Sequence, residues 1–167
     1  MTEVLLLWAF VAAADGDTLT LREGAETIHV RLAEIDAPER TQPYSQVSRK
    51  NLDTFCRGKS VEFRKVDIDR YGRTVAHVWC DGLHVNWRQV EDGLAWCFTR
   101  YSKQPDVCLP LEQAARTSNK GLWREPNPQA DELRAQIREN LKASRLDATG
   151  PVLPTTAPVR PSNGPPV

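Results

Sequence analysis

The sequence predicts an α+β fold, mainly a five-stranded β-barrel with three helices packed at one side. Three observations carry this expectation. Several short segments alternate apolar and polar residues, one helical stretch interrupts them, and further helical stretches follow the last strand. The chain has 167 residues, of which 40% are hydrophobic and 26% charged, with a formal net charge of +0. Those values suit one ordinary soluble domain with its own core. No apolar run approaches the roughly 20 residues that a membrane-spanning helix needs, so no integral membrane span is expected. The balanced charge provides no overall basic field, although local basic clusters bind phosphate whatever the total.

Phe10, Ala12 and Ala14 alternate as a first strand should, inside an apolar run from Val4 to Ala14 that also resembles a short signal region. The preceding MTE carries no positive charge, and cleavage after Ala14 would begin the chain directly at the DGDT motif. A strand is therefore expected, with residues 1–9 as its apolar lead-in. Leu19 and Leu21 mark a second strand, and Ile28, Val30 and Leu32 a third. Tyr44, Ser48, Leu52 and Phe55 share one helical face, and Gly58 lies beyond its end. Val61 and Phe63 open the fourth strand. In the fifth, Val75, His77 and Trp79 lie on one face, with Ala76, Val78 and Cys80 on the other. Asp81-Gly82 is a hairpin signal, with Leu83 and Val85 continuing after it. Asn86 and Gln89 have the spacing of a capping box for a short helix ended by Gly93. Pro110 is expected to open a third helix, closed by Gly121. Five short strands interrupted by a helix fit the OB type of barrel. The expected domain covers residues 10–125. An additional amphipathic helix is expected within 126–147, with Asn127 as its cap and Leu133, Ile137 and Leu141 on its stripe. The proline-rich segment 148–167 has no periodic apolar face and is expected to be disordered.

Cys56, Cys80, Cys97 and Cys108 make no C-x-x-C pair, and with only three histidines a structural zinc site is not expected. Four cysteines allow two disulfides in three pairings, or four buried thiols. Cys97 and Cys108 flank a short polar loop and are the first pair to expect. The cysteines and the apolar start favour a secreted, periplasmic or membrane-tethered setting over a cytoplasmic one.

Three stretches carry candidate chemistry. DGDTLTL, from Asp15 to Leu21, puts two carboxylates around a glycine at a strand start, and RLAEIDAPER, from Arg31 to Arg40, supplies Asp36 at another strand's end. Carboxylates meeting from two strand ends suit a hard cation with oxygen ligands, calcium being the natural candidate. DRYGR, from Asp69 to Arg73, is a turn that delivers Arg73 to a strand start. Two guanidiniums, Arg31 and Arg73, near a divalent cation would clamp a tetrahedral anion. Glu34 and Arg40 are read as surface charges.

In this order, the three motifs resemble those of the staphylococcal (micrococcal) nuclease family, the thermonucleases. VNWRQVEDGLAW and LEQAARTSNKGLW resemble that family's next two landmarks, so the likeness runs from about Phe10 to Trp123. The resemblance implies an OB-fold barrel and a calcium-dependent nuclease. It would hydrolyse phosphodiester bonds in DNA and RNA alike, leaving 3′-phosphate and 5′-hydroxyl ends. It implies Asp17 and Asp36 as calcium ligands, with Ala37 giving a backbone carbonyl where the family often has threonine. Glu39 would activate or orient the attacking water, and Arg31 and Arg73 would be the catalytic arginines. Arg70 and Tyr71 would contact the substrate's phosphate, and Tyr101 would help build the nucleotide site. Thr99 falls where some members have tyrosine, so stacking is not expected there. A monomer acting preferentially on single strands is expected, and loss of any one site group should damage turnover far more than folding. The competing reading is a non-catalytic OB-type module that binds nucleic acid or protein. Such a module would have no need of Asp17, Arg31, Asp36, Glu39 and Arg73 together.

Overall fold

The computed structural model describes residues 8–100 and 102–128. Residues 1–7 of the lead-in expected over 1–9, Tyr101, the part beyond Pro128 of the helix expected within 126–147, and the tail over 148–167 lie outside the described residues, while Trp8 and Ala9 already belong to the first strand. Five long strands form the barrel: β1 (Trp8–Ala13), β2 (Thr18–Glu23), β3 (Glu26–Leu32), β5 (Ser60–Ile68) and β6 (Thr74–Cys80). Short strands β4 (Ile35–Asp36), β7 (Leu83–His84) and β8 (Trp96–Cys97) lie between the helices α1 (Ser45–Cys56), α2 (Val85–Glu91) and α3 (Pro105–Thr117). The sheet runs β3-β2-β1-β5-β6-β7, and a parallel β3–β6 pairing closes it, with Arg31 opposite Val75. The α+β barrel with three helices is thus the observed fold.

Alternation explains the core. Leu19, Leu21, Val30, Val61, Ala76 and Val78 are fully buried, with Leu52 of α1 and Val85 and Val90 of α2 in the same cluster. The Asp81-Gly82 hairpin forms as expected, with φ of 46° and 78°, the positive pair that a tight two-residue turn uses.

Local patterns misplace three details. In β1 the alternation breaks, because the register with β2 jumps between Phe10 and Ala12. The extra residue turns Ala13 inward and leaves Ala12 exposed. Asn86 is not a cap: α2 begins one residue earlier, and the Asn86 side chain points into the protein. It accepts from the Val78 N–H (2.9 Å) and donates to the carbonyls of Ala33 (3.0 Å) and Ala76 (3.1 Å). Gln89 likewise donates to the carbonyls of Gly16 (2.6 Å) and Ser48 (3.0 Å). A buried amide must satisfy its donors and acceptors, and here backbone groups of β6, the β3–β4 corner, the DGDT turn and α1 provide the partners. α3 starts at Pro105 rather than Pro110. Pro105 takes the first helical position, where no N–H is needed, and Pro110 sits inside the helix at the cost of one backbone bond. Both cysteine pairs, Cys56–Cys80 and Cys97–Cys108, are disulfides.

Candidate active site

The DGDT turn folds where β1 passes into β2. The Asp17 N–H donates to Asp15 Oδ1 (3.1 Å), a turn that aspartate favours. Gly16 is required by space: a Cβ there would overlap the Ser48 hydroxyl of α1 and come 2.8 Å from Ala37 Cβ. This close approach carries Asp17 against the β4 corner. The Ala37 N–H donates to Asp17 Oδ2 at 2.7 Å, joining positions twenty residues apart.

Arg31 completes the corner. Its Nη1 lies 3.1 Å from Asp17 Oδ2 and donates to the carbonyls of Leu32 and Ile35, both at 2.9 Å. Its Nη2 donates to Asp36 Oδ1 at 3.2 Å. One guanidinium therefore bridges both candidate cation ligands. Burial pushes the Asp17 carboxyl up, to about 7; Arg31 opposes the rise, while Asp15 and Asp36 add to it. A cation beside the pair would favour the ionised form.

Arg73 reaches the same network from the DRYGR turn. Asp69 accepts from the N–H groups of Tyr71 (2.9 Å) and Arg73 (3.0 Å) and from Arg73 Nε (2.6 Å). Burial works against the Asp69 carboxylate, but these bonds prevail and hold its pKa below the usual range. Arg73 Nη1 donates to Thr18 Oγ1 (3.3 Å), and that hydroxyl donates to Asp17 Oδ1 (3.1 Å). Asp69, Arg73, Thr18, Asp17, Arg31 and Asp36 thus form one continuous chain of polar contacts. Arg70 and Arg73 both lie against the Tyr71 ring, 4.8 and 5.6 Å from its centroid, and that ring is 69% exposed. Glu39 is exposed on the turn leaving β4, where its N–H donates to Gln42 Oε1 (2.8 Å).

The donor chemistry fits a hard cation. Among the described residues no three Asp, Glu, His or Cys side chains converge as a cluster that could hold a metal ion. A hard cation at this corner would have Asp17 and Asp36 as its side-chain donors and would need backbone oxygen and water to complete a shell.

Sequence reasoning missed Thr18 and Asp69, although aspartate opening a D-R-Y-G turn is a signal for both its bonds to the turn's N–H groups and its reach to Arg73. It also misread Glu34. That side chain is 8% exposed, not a surface charge: a corner turned by its positive φ of 64° points it inward, to His77 Nε2 at 3.3 Å. Arg40 is exposed, as expected.

His77 Nδ1 lies 3.2 Å from His84 Nε2, and the rings pack among Trp79 and Trp87. Burial lowers both pKa values, with Arg64 adding to the effect and Glu34 opposing it; His77 further depresses His84, to about 4. Unfolded histidine titrates near 6.5, so below that pH the unfolded chain binds more protons and stability falls as pH drops toward 4. Denaturant midpoints at pH 7 and pH 5 are expected to show His84→Gln losing less stability than wild type over that interval, by on the order of 1 kcal/mol after solvent screening.

A closed five-stranded barrel with this carboxylate–guanidinium corner defines the class of protein. The family model for staphylococcal nuclease homologues matches residues 29–125, and the chain belongs to that family. A Haemophilus influenzae protein named as an uncharacterized endonuclease is 41% identical over 119 residues, covering 71% of this chain and 66% of that protein. A Shigella flexneri protein named micrococcal nuclease is 34% identical over 129 residues, covering 71% of this chain and 74% of its own. A probable staphylococcal-like nuclease of Oryza sativa subsp. japonica is 37% identical over 105 residues, 63% of this chain and 31% of that protein. Among the described residues no helix is long and apolar enough to cross a membrane.

Proposed function

We propose that the chain is a calcium-dependent, sugar-non-specific endonuclease of the thermonuclease type. It would hydrolyse phosphodiester bonds in DNA and RNA and leave 3′-phosphate and 5′-hydroxyl ends. The observation that carries this reading is the single network joining two guanidiniums to two carboxylates, Arg73–Thr18–Asp17–Arg31–Asp36. The names of the relatives, endonuclease and micrococcal nuclease, support the same reaction.

A phosphodiester is anionic, and attack by water adds charge to its equatorial oxygens. Arg31 and Arg73 are already held in place by Asp17, Asp36 and Asp69, so they can meet that charge as preorganised donors. Glu39 orients the attacking water and takes its proton. A bond forms between the water oxygen and phosphorus, the bond to the 5′ oxygen breaks, that oxygen takes a proton from solvent to leave as the 5′-hydroxyl, and Glu39 returns its proton to solvent. Calcium, held by Asp17, Asp36 and the Ala37 carbonyl, would polarise a phosphoryl oxygen. Arg70, Tyr71 and Tyr101 would hold the strand by phosphate and ring contacts. Such contacts read little sequence and favour single-stranded or frayed substrate, bound by a monomer.

The test is cleavage of end-labelled single-stranded DNA with calcium and then with a calcium chelator. Calcium-dependent cleavage leaving ends that a 3′-phosphatase can process is expected. Cleavage that survives the chelator removes calcium from the reading. Binding without cleavage by folded protein leaves the non-catalytic module in its place.

A further inference from the structure

Glu34 turns the corner between β3 and β4, three residues after Arg31 and two before Asp36. From there it holds described parts of a separate segment between β8 and α3, residues 98–100 and 102–104. The Glu34 carbonyl accepts from the Phe98 N–H at 2.9 Å. Its Oε2 accepts from the Ser102 hydroxyl at 2.6 Å and the Gln104 N–H at 3.1 Å. Its Oε1 is steadied by His77, whose side chain is 2% exposed. The segment is tied at its flanks as well. Cys97 pairs with Ile35 of β4, and its disulfide reaches Cys108 in α3. A carboxylate 8% exposed is costly to bury, and this one is compensated by bonds to the segment and to one imidazole. The segment presents exposed Thr99, Arg100 and Lys103 beside the corner that carries Arg31 and Asp36. The Lys103 ammonium and the Thr99 hydroxyl suit the anionic backbone of a nucleic acid strand.

We propose that Glu34 is a positioning residue that sets Phe98 and residues 102–104 as part of a preformed wall for the nucleotide next to the scissile phosphate. This rests on the nuclease reading and adds a determinant of substrate capture to it. Without the clamp, ordering the segment becomes a cost of each binding event, so affinity falls while the chemical step is spared.

Steady-state cleavage of a single-stranded oligonucleotide decides the matter. Glu34→Ala is expected to raise KM about tenfold with kcat within about twofold, and Ser102→Ala to raise KM about threefold. The double variant should lose less than the sum of the two single changes, because they share the Ser102–Glu34 bond, while Ser102→Ala also removes an acceptor of the Gln104 N–H (3.1 Å). Glu34→Gln should restore most of the affinity: its amide oxygen still accepts from Ser102 and Gln104, and its amide nitrogen can face His77 in the other tautomer. An unchanged KM in folded Glu34→Ala overturns the proposal. So does a loss of kcat that tracks lost thermal stability and is not rescued by glutamine. If Glu34→Ala does not fold, Ser102→Ala alone decides. The Kd of the same variants for the oligonucleotide in chelator, read by fluorescence anisotropy, applies even if wild type does not cleave. Failure of the clamp is thereby distinguished from failure of the nuclease reading.

Discussion

Glu39→Gln is expected to lower kcat on single-stranded DNA by about 10²–10⁴-fold, the usual worth of a positioned general base. Its thermal midpoint should stay at the wild-type value. The glutamate is exposed on the turn after β4, and its backbone holds that turn: its N–H donates to Gln42 Oε1 and its carbonyl accepts from the Gln42 N–H, bonds that glutamine leaves in place. The amide keeps the shape but loses the negative charge and the capacity to accept a proton. Turnover at the wild-type rate with calcium present would remove Glu39 from the chemistry and leave the water to be oriented by another group.

Arg31→Met is expected to damage both turnover and folding. Losing one preorganised donor to the developing phosphoryl charge costs about 10²–10³-fold in kcat. The same change strips Asp17, a carboxylate with an 8% exposed side chain, of its cationic partner and frees the carbonyls of Leu32 and Ile35. Removing one partner of a buried pair costs on the order of 3 kcal/mol, reduced to the extent that Asp17 takes up a proton. The double variant Arg31→Met with Asp17→Asn separates the effects: it should recover part of the stability and none of the activity. Denaturant midpoints and cleavage rates on the three proteins provide both readings. Equal stability of Arg31→Met and wild type would mean that the corner does not depend on the guanidinium. If both results are obtained, the expectation from sequence, that each site residue matters far more to turnover than to folding, will apply to exposed Glu39 and not to Arg31.

The contrast between these residues shows where sequence reading stops. Strand alternation in TLTL, IHVRL and TVAHVWC placed the barrel strands, because a strand's inward set is decided by residues two apart. The Asp81-Gly82 turn was equally legible, since positive φ at both positions is a property of the dipeptide. DGDT, RLAEIDAPER and DRYGR marked Asp17, Arg31, Asp36 and Arg73 as a group worth joining. Yet Asn86 and Gln89, spaced as a capping box, instead bond to carbonyls at Ala33, Ala76, Gly16 and Ser48.

By itself, then, the sequence determined which segments are strands and helices and which charged residues stand at their ends. Only the tertiary structure decided what those residues meet. The parallel β3–β6 pairing closes the barrel and carries Arg73 to Thr18, fifty-five positions away. The inward corner at Glu34 ties β3 to Ser102, sixty-eight positions away, and turns an apparent surface charge into a buried clamp. The physical reason is the range of the forces that leave a trace in sequence. Backbone preference and alternation act between near neighbours, whereas burial and ion pairing act between groups that only the closed barrel brings together.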